Sequence, residues 1–148
     1  MNQGVIILIA EDDEGHAELI RKNLTRAGIV NKIIHFKDGQ ETVDFLFRCG
    51  AGPHRKSGDA FVLLLDIRMP KLSGDEVLEQ IKADPELRKI PVIMITTTDD
   101  PREVAHCHAL GCSSYITKPV EYEPFVNAIR QLGLFLTVVQ VPRINGGD

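Results

Sequence analysis

Four positions far apart in the chain carry the residue types of one chemistry. Glu11-Asp12-Asp13 follow the apolar run 5–10, Asp66 ends Phe61-Val62-Leu63-Leu64-Leu65, Thr96 ends the run 91–95, and Lys118 follows 113–117. Apolar runs without polar alternation read as strands buried on both faces, the kind found inside a parallel sheet. In such a sheet the carboxyl ends share one edge, and that edge is where ligands bind. Carboxylates, a hydroxyl and an ammonium therefore converge on one cleft. Carboxylates held close repel one another unless a cation neutralises them, and hard oxygen ligands select Mg2+, Mn2+ or Ca2+. Such a cation shared with phosphate oxygens, beside a positioned lysine, is the equipment of phosphoryl transfer. A salt-bridged sheet edge that only adds stability would explain Lys118 but not four separate strand ends. Nor is Asp66 needed as a helix cap, because Ser73 stands closer to the next helix.

Five βα units are needed to bring these positions together, and the chain supplies them. After strand one, the apolar residues Ala17, Ile20, Leu24 and Ala27 fall at helical spacing over 14–27, and Gly28 stops the helix. A second strand over 30–36 is more polar, with Asn31, Lys32 and His35, as suits a place near the sheet edge. Asp38 caps a helix with the stripe Val43, Phe45, Leu46 and Phe47, closed by Cys49-Gly50. Residues 50–59 form a long, mildly basic loop, with His54, Arg55 and Lys56 expected on a solvated face. Beyond the Asp66 strand, helix three starts after Ser73-Gly74, carries Val77, Leu78 and Ile81, and breaks at Asp84-Pro85. Strand four covers 91–96, and Asp100 with Pro101 opens a fourth helix that ends at Leu110-Gly111. Strand five, 113–117, stops at Lys118-Pro119, and helix five runs from about 121 to 132. Strict alternation predicts a doubly wound α/β fold, with right-handed crossovers and helices on both faces of a parallel sheet.

Composition narrows the function classes. A chain of 148 residues is the size of one domain with a single core. A formal net charge of -4 argues against nucleic-acid binding as the main business. Met1-Asn2-Gln3-Gly4 lacks the basic start of a signal peptide, and no apolar run reaches membrane-spanning length. Three cysteines, an odd number, suit a reducing cytosol better than a disulfide scaffold, so a cytoplasmic protein is expected. His106-Cys107-His108 with Cys112 looks like a metal cluster on paper, but neighbours on a helix point in different directions. His16, His35 and His54 show no ligand spacing.

Glu11-Asp12, Leu65-Asp66-Ile67-Arg68-Met69-Pro70, Thr96, Tyr115 and Lys118-Pro119, in that order, resemble a response-regulator receiver domain over residues 5 to 132. No single motif is specific, but the combination is. The resemblance implies a (βα)5 flavodoxin-like fold with strand order 2-1-3-4-5. It implies that Asp66 accepts a phosphoryl group from a histidine-kinase phosphohistidine. Glu11 and Asp12 would bind Mg2+ (Mn2+ or Ca2+ being possible substitutes), with Asp66 and the backbone carbonyl of Arg68 completing the site. Lys118 would contact the phosphoryl oxygens, Thr96 would swing its hydroxyl toward them, and Tyr115 would follow by turning inward. A cis Lys118–Pro119 bond is expected with it.

Several residues depart from the commonest pattern of that family. Glu11 is longer than aspartate by one methylene, Thr97 stands where a small residue often sits, and Arg68 and Thr98 flank the site. Glu11 would alter the metal geometry, Thr97 would narrow access to the phosphoryl group, and Arg68 and Thr98 are expected to set the lifetime of the phosphorylated state, a bulky Arg68 slowing hydrolysis relative to asparagine. Residues 1–132 form the receiver domain and 133–148 an extension too short for a DNA-binding output domain. In that extension Leu134-Phe135-Leu136-Thr137-Val138-Val139 is apolar and β-prone, and an exposed strand of this kind needs a partner or a place on the body. Together with the long loop before strand three, it resembles the single-domain regulators paired with phytochrome-type histidine kinases. A homodimer contact on the helix-four/helix-five side is expected, with a tail folded back on its own subunit as the alternative.

Other classes fit less well. A haloacid-dehalogenase-like phosphatase needs a second aspartate two residues after the acceptor, where this chain has Arg68. A flavodoxin-like flavin carrier cradles phosphate after strand one, where Glu11-Asp12-Asp13 would repel it. A phosphorylation-independent scaffold with the same fold is the remaining alternative. The expectation is therefore a stand-alone phosphorylation switch that acts by changing its protein contacts, with a phosphotransfer protein or a downstream target as possible partners. It would catalyse only its own phosphorylation chemistry, and no membrane or nucleic-acid partner is expected.

Overall fold

The computed structural model describes residues 1–119 and 121–146. Five parallel strands form one sheet in the order β2-β1-β3-β4-β5: β1 (Val5–Ala10), β2 (Ile33–Phe36), β3 (Ala60–Leu65), β4 (Val92–Thr96) and β5 (Ser114–Thr117). The helices between and after them are α1 (Glu14–Arg26), α2 (Gly39–Phe47), α3 (Gly74–Ala83), α4 (Pro101–Leu110) and α5 (Tyr122–Leu136), with a 3-10 turn at Leu87–Lys89. This is the expected doubly wound fold. The order reverses between β1 and β3, and the crevice for ligands opens there at the carboxyl ends.

Central position explains β3. All of its residues are buried, and alternate ones enter different layers. Phe61, Leu63 and Leu65 join the side that holds α2, α3 and α4, through Val43, Leu46, Val77, Leu78, Ile81 and Cys107. Val62 and Leu64 join the other side with α1 and α5, through Ile20, Leu24, Phe125, Ile129 and Leu132. Each such leucine or isoleucine contributes about 2 kcal/mol by leaving water, so the strand that ends in Asp66 is held on both faces.

Local chemistry starts and stops the helices as the residues predict. Asp13 and Asp38 accept from His16 N and Glu41 N at the starts of α1 and α2. Ser73 and Glu76 form a reciprocal capping box on α3, and Asp100 caps α4, with Pro101 at its first position. One glycine bears directly on the site. A Cβ on Gly74 would lie 2.0 Å from the carbonyl oxygen of Asp66, so only glycine lets α3 approach the backbone of that aspartate.

Three expectations are corrected. First, β2 begins at Ile33, because the Asn31 amide donates to the Asn2 and Val5 carbonyls and makes a turn of the preceding residues. Second, the apolar run beginning at Leu134 is not a strand. The helical stripe Ile129, Leu132, Gly133 and Leu136 keeps its period past Leu132, so α5 continues through Leu136. After the helix the chain folds back on its own body: Arg143 bridges Ala60, Ile144 N donates to Asp59 O, and the Ile144 side chain is fully buried. Residues 147 and 148 of this extension lie outside the described residues. Third, Arg55 is not on a solvated face. It is buried, and donates from Nε to Leu46 O at 2.8 Å and from Nη2 to Asn145 O at 3.1 Å.

Candidate functional site

The strand ends that carry the polar residues are locked in register. Glu11 N donates to Phe36 O, Asp66 N to Ala10 O and Lys118 N to Thr96 O, so each end is fixed to its neighbour by the main chain. His35, at the end of β2, adds a ring nitrogen 2.6 Å from the carbonyl oxygen of Glu11. The four expected side chains do meet, and they are buried: Glu11 is 2% exposed, Asp66 7%, Thr96 0% and Lys118 3%. Asp12 is exposed at the rim.

Lys118 is the hub. Its Nζ donates to Glu11 Oε1 and, at 3.1 Å, to Asp66 Oδ2. The third contact, to His16 Nδ1 at 3.2 Å, was not foreseen from the sequence. The signal available there was position alone: His16 lies in the first turn of the helix that follows the acidic strand end. Burial, with the nearby Asp66 charge adding to it, pushes Glu11 up to about 7, against the opposing pull of Lys118. Desolvation thus favours the protonated form of this acid.

Two oxygens in the site are buried and have no hydrogen-bond partner, Asp66 Oδ1 and Thr96 Oγ1. A buried polar atom left unpaired costs about 1–3 kcal/mol, and such atoms in a cleft of carboxylates point to a ligand that completes them. Glu11, Asp12 and Asp66 each offer a carboxylate oxygen within 4.8 Å of the others. Carboxylate donors of that number suit Mg2+ or Mn2+, so the residues present fit a divalent cation.

The other expected residues are placed as follows. Arg68 lies two residues past Asp66 with its side chain exposed. Tyr115 is half-buried, its hydroxyl donating to Thr98 O at 2.8 Å, which ties β5 to the loop that Thr96 leads into. Burial pushes the phenol up to about 12. No cis peptide bond occurs among the described residues, so Lys118–Pro119 is trans and not cis as expected. The trans form is the default by about 0.5–1 kcal/mol, and Lys118 reaches both carboxylates from it. The His106, Cys107, His108 and Cys112 side chains do not converge on a common centre: Cys107 is buried, His106 turns to Asp75, and only Cys112 and His108 approach, at 3.8 Å. Among the described residues no helix is long and apolar enough to cross a membrane.

Comparison with known proteins agrees with this geometry. Residues 7–130 match the family model of the response regulator receiver domain. A receiver domain from Rhodospirillum rubrum, known by its crystal structure, is 48% identical with a TM-score of 0.89, over 95% of this chain and 99% of that one. Response regulator Rcp1 of Synechocystis sp. is 30% identical over 142 residues, 95% of either chain. The crystal structure of its Mn2+-bound form has a TM-score of 0.82 over 93% of this chain and 98% of that one. The phosphorylated cyanobacterial phytochrome response regulator RcpA is 27% identical with a TM-score of 0.81, over 93% of this chain and 97% of that one. The chain therefore belongs to the response-regulator receiver family, the phosphorylation-accepting signalling domains that interact with histidine kinases.

Proposed function

We propose that Asp66 is the phosphoacceptor and that a histidine kinase of the phytochrome type is the donor. The observation that carries this reading is the Asp66 carboxylate itself: one oxygen is held by Lys118 while the other is buried without a partner. In the transfer, an Asp66 oxygen forms a bond to phosphorus as the phosphorus–nitrogen bond of the kinase phosphohistidine breaks, and the leaving imidazole keeps the electron pair. Glu11, Asp12, Asp66 and the backbone carbonyl of Arg68 would hold Mg2+, with Mn2+ or Ca2+ as substitutes. The cation would offset the charge gathered on the phosphoryl oxygens. Lys118 balances the remaining charge from within the protein, and Thr96 Oγ1, unpartnered at rest, is the hydroxyl available to those oxygens.

The switch follows from the same contacts. An aspartyl phosphate adds negative charge and strong acceptors at one point. Thr96 and Lys118 are bonded to each other through the main chain and sit at the ends of β4 and β5, so their turn toward phosphate biases both strands. Tyr115, bonded to Thr98, reports that change on the face made by α4, β5 and α5. An equilibrium moves only by the differential contacts of its two states, and these are the contacts that differ. The protein acts only on itself in this chemistry, and a phosphotransfer protein or a downstream target reads the face. The free thiols of Cys49, Cys107 and Cys112 support a cytoplasmic setting.

A homodimer on the helix-four/helix-five side belongs to the same reading. Leu134, Phe135 and Val138 are 53–72% exposed at the end of α5, an apolar surface that a second copy would cover. Light scattering at high micromolar concentration, with and without fluoroberyllate, should find a dimer, and a monomer in both states would end the idea. The test of Asp66 is intact-protein mass after incubation with acetyl phosphate and Mg2+. One phosphoryl group should be gained, and none by Asp66→Asn or with a chelator. No gain in the unmodified chain, with no fluoroberyllate-induced spectral change, would favour a phosphorylation-independent scaffold instead.

A further inference from the structure

His16 has its backbone N–H held by Asp13 Oδ1 at 3.0 Å, which fixes where its side chain leaves α1. The ring meets Phe125 of α5 edge to face, with centroids 5.5 Å apart at 78°, and its Nδ1 lies 3.2 Å from Lys118 Nζ. An ammonium has three N–H donors and no acceptor. Around Lys118 Nζ stand a Glu11 oxygen, an Asp66 oxygen and His16 Nδ1, one acceptor for each donor. Glu11 Oε1 and Asp13 Oδ2 also lie 3.9 and 4.0 Å from Nδ1, beyond hydrogen-bond reach, so the short contact to the ammonium sets the sense of the last bond. Lysine donates, the Nδ1 lone pair accepts, and the ring proton sits on Nε2.

Two of those acceptors belong to the carboxylates that a cation and a phosphoryl group would claim, and the third does not. Lys118 is a long side chain that regains rotamer freedom once its carboxylates turn elsewhere, and a fixed acceptor limits that loss of aim. We propose that His16 is a positioning residue for Lys118, its Nδ1 keeping one ammonium proton while the other N–H groups are turned to the oxygens on Asp66. The inference rests on Asp66 as phosphoacceptor. It assigns Phe125 a part as well, since that ring backs the imidazole from α5 and lets two helices stand behind one ammonium.

The experiment compares the unmodified chain with His16→Leu and His16→Asn. Asparagine offers an amide oxygen near the place of Nδ1, whereas leucine keeps apolar bulk against Phe125 and removes the acceptor. Histidine nitrogen NMR shifts should show Nδ1 unprotonated and Nε2 protonated, both at rest and with fluoroberyllate bound. Phosphoryl uptake from acetyl phosphate with Mg2+ should slow about tenfold in His16→Leu, the scale of one charge-assisted hydrogen bond, and largely recover in His16→Asn. A protonated Nδ1 at rest would overturn the proposal. So would uptake by His16→Leu equal to that of the unmodified chain, or a His16→Asn protein as slow as His16→Leu while melting at the unmodified temperature. If His16→Leu does not fold, the nitrogen shifts and His16→Asn decide alone. An unmodified chain that takes up no phosphoryl group overturns the reading of Asp66, and this inference with it; unimpaired uptake by His16→Leu overturns only the inference.

Discussion

Among the described residues two cationic side chains are buried, Lys118 at the carboxyl end of the sheet and Arg55 beside the amino end of β3, and their partners differ in kind. Lys118 donates to two carboxylates, which can turn to another ligand, and to the imidazole of His16, which stays. Arg55 donates to the main-chain carbonyls of Leu46 and Asn145, acceptors fixed by the backbone, with the Glu86 carboxylate also near its charge. Near Lys118 the Asp66 and Thr96 oxygens wait without partners. Around Arg55 the tail closes the region, with Gly58 N donating to Ile144 O and Asn145 N to Glu86 Oε1. Burial of charge is thus no mark of function by itself. What separates a site from a strut is whether the acceptors are free to exchange.

The largest effect that could break this comparison comes from Lys118→Met. Removing a preorganised charge from the site should slow acetyl-phosphate uptake about 10²–10³-fold, a loss typical of one electrostatic stabiliser, read by intact mass over time. Retained uptake would mean that Lys118 is only structural. The mirror experiment is Arg55→Leu, which strips donors from the buried Leu46 carbonyl and the part-buried Asn145 carbonyl and should lower stability by about 3 kcal/mol in urea unfolding. Uptake per folded molecule should stay unchanged, and a slowed Arg55→Leu protein would erase the distinction between the two regions.

A smaller effect sharpens the electrostatics. Glu11 is raised from 4.5 to about 7 in the fold. Between those values the folded chain holds a proton that the unfolded chain has lost, so the metal-free protein should lose stability as pH rises through that window. Glu11→Gln should flatten this slope in thermal melts. As pH rises through about 7 the departing proton stops competing with a cation, so Mg2+ affinity should rise about tenfold between about pH 6 and about pH 8, measured by calorimetry. An affinity independent of pH would remove Glu11 from the metal set. The smallest effect is expected from the exposed Arg68: Arg68→Asn should shorten the phosphorylated lifetime a few-fold, roughly what removing one weak shielding interaction beside the bond would do. An equal or longer lifetime would show that Arg68 does not shield it.

The strand ends were legible because a parallel sheet turns sequence order into spatial order. Once 5–10, 61–65 and 91–96 read as buried strands and 113–117 as a short fifth one, Glu11, Asp66, Thr96 and Lys118 had to share an edge. Helix starts were legible for a local reason, since Asp38, Ser73 and Asp100 each act within a few residues of themselves. His16 and Arg55 were not. Both are polar residues in polar stretches, and what buries them or gives them partners comes from distant segments: Lys118 and Phe125 for one, Asn145 for the other. The tail was misread where two local signals compete, since Thr137, Val138 and Val139 favour a strand while Leu132, Gly133 and Leu136 continue a helix.

The sequence by itself determined the layer architecture and the chemistry of the cleft, because periodicity and strand-end residues need no knowledge of distant contacts. The tertiary structure alone decided how the charges are shared: that Lys118 has three acceptors, that one Asp66 oxygen is left over, and that Arg55 is a strut. It also decided that the tail closes on its own subunit through Ile144. The physical reason is the same throughout. Backbone preference and apolar patterning act over a few residues, whereas hydrogen-bond partnership and burial depend on which surfaces the finished fold brings together.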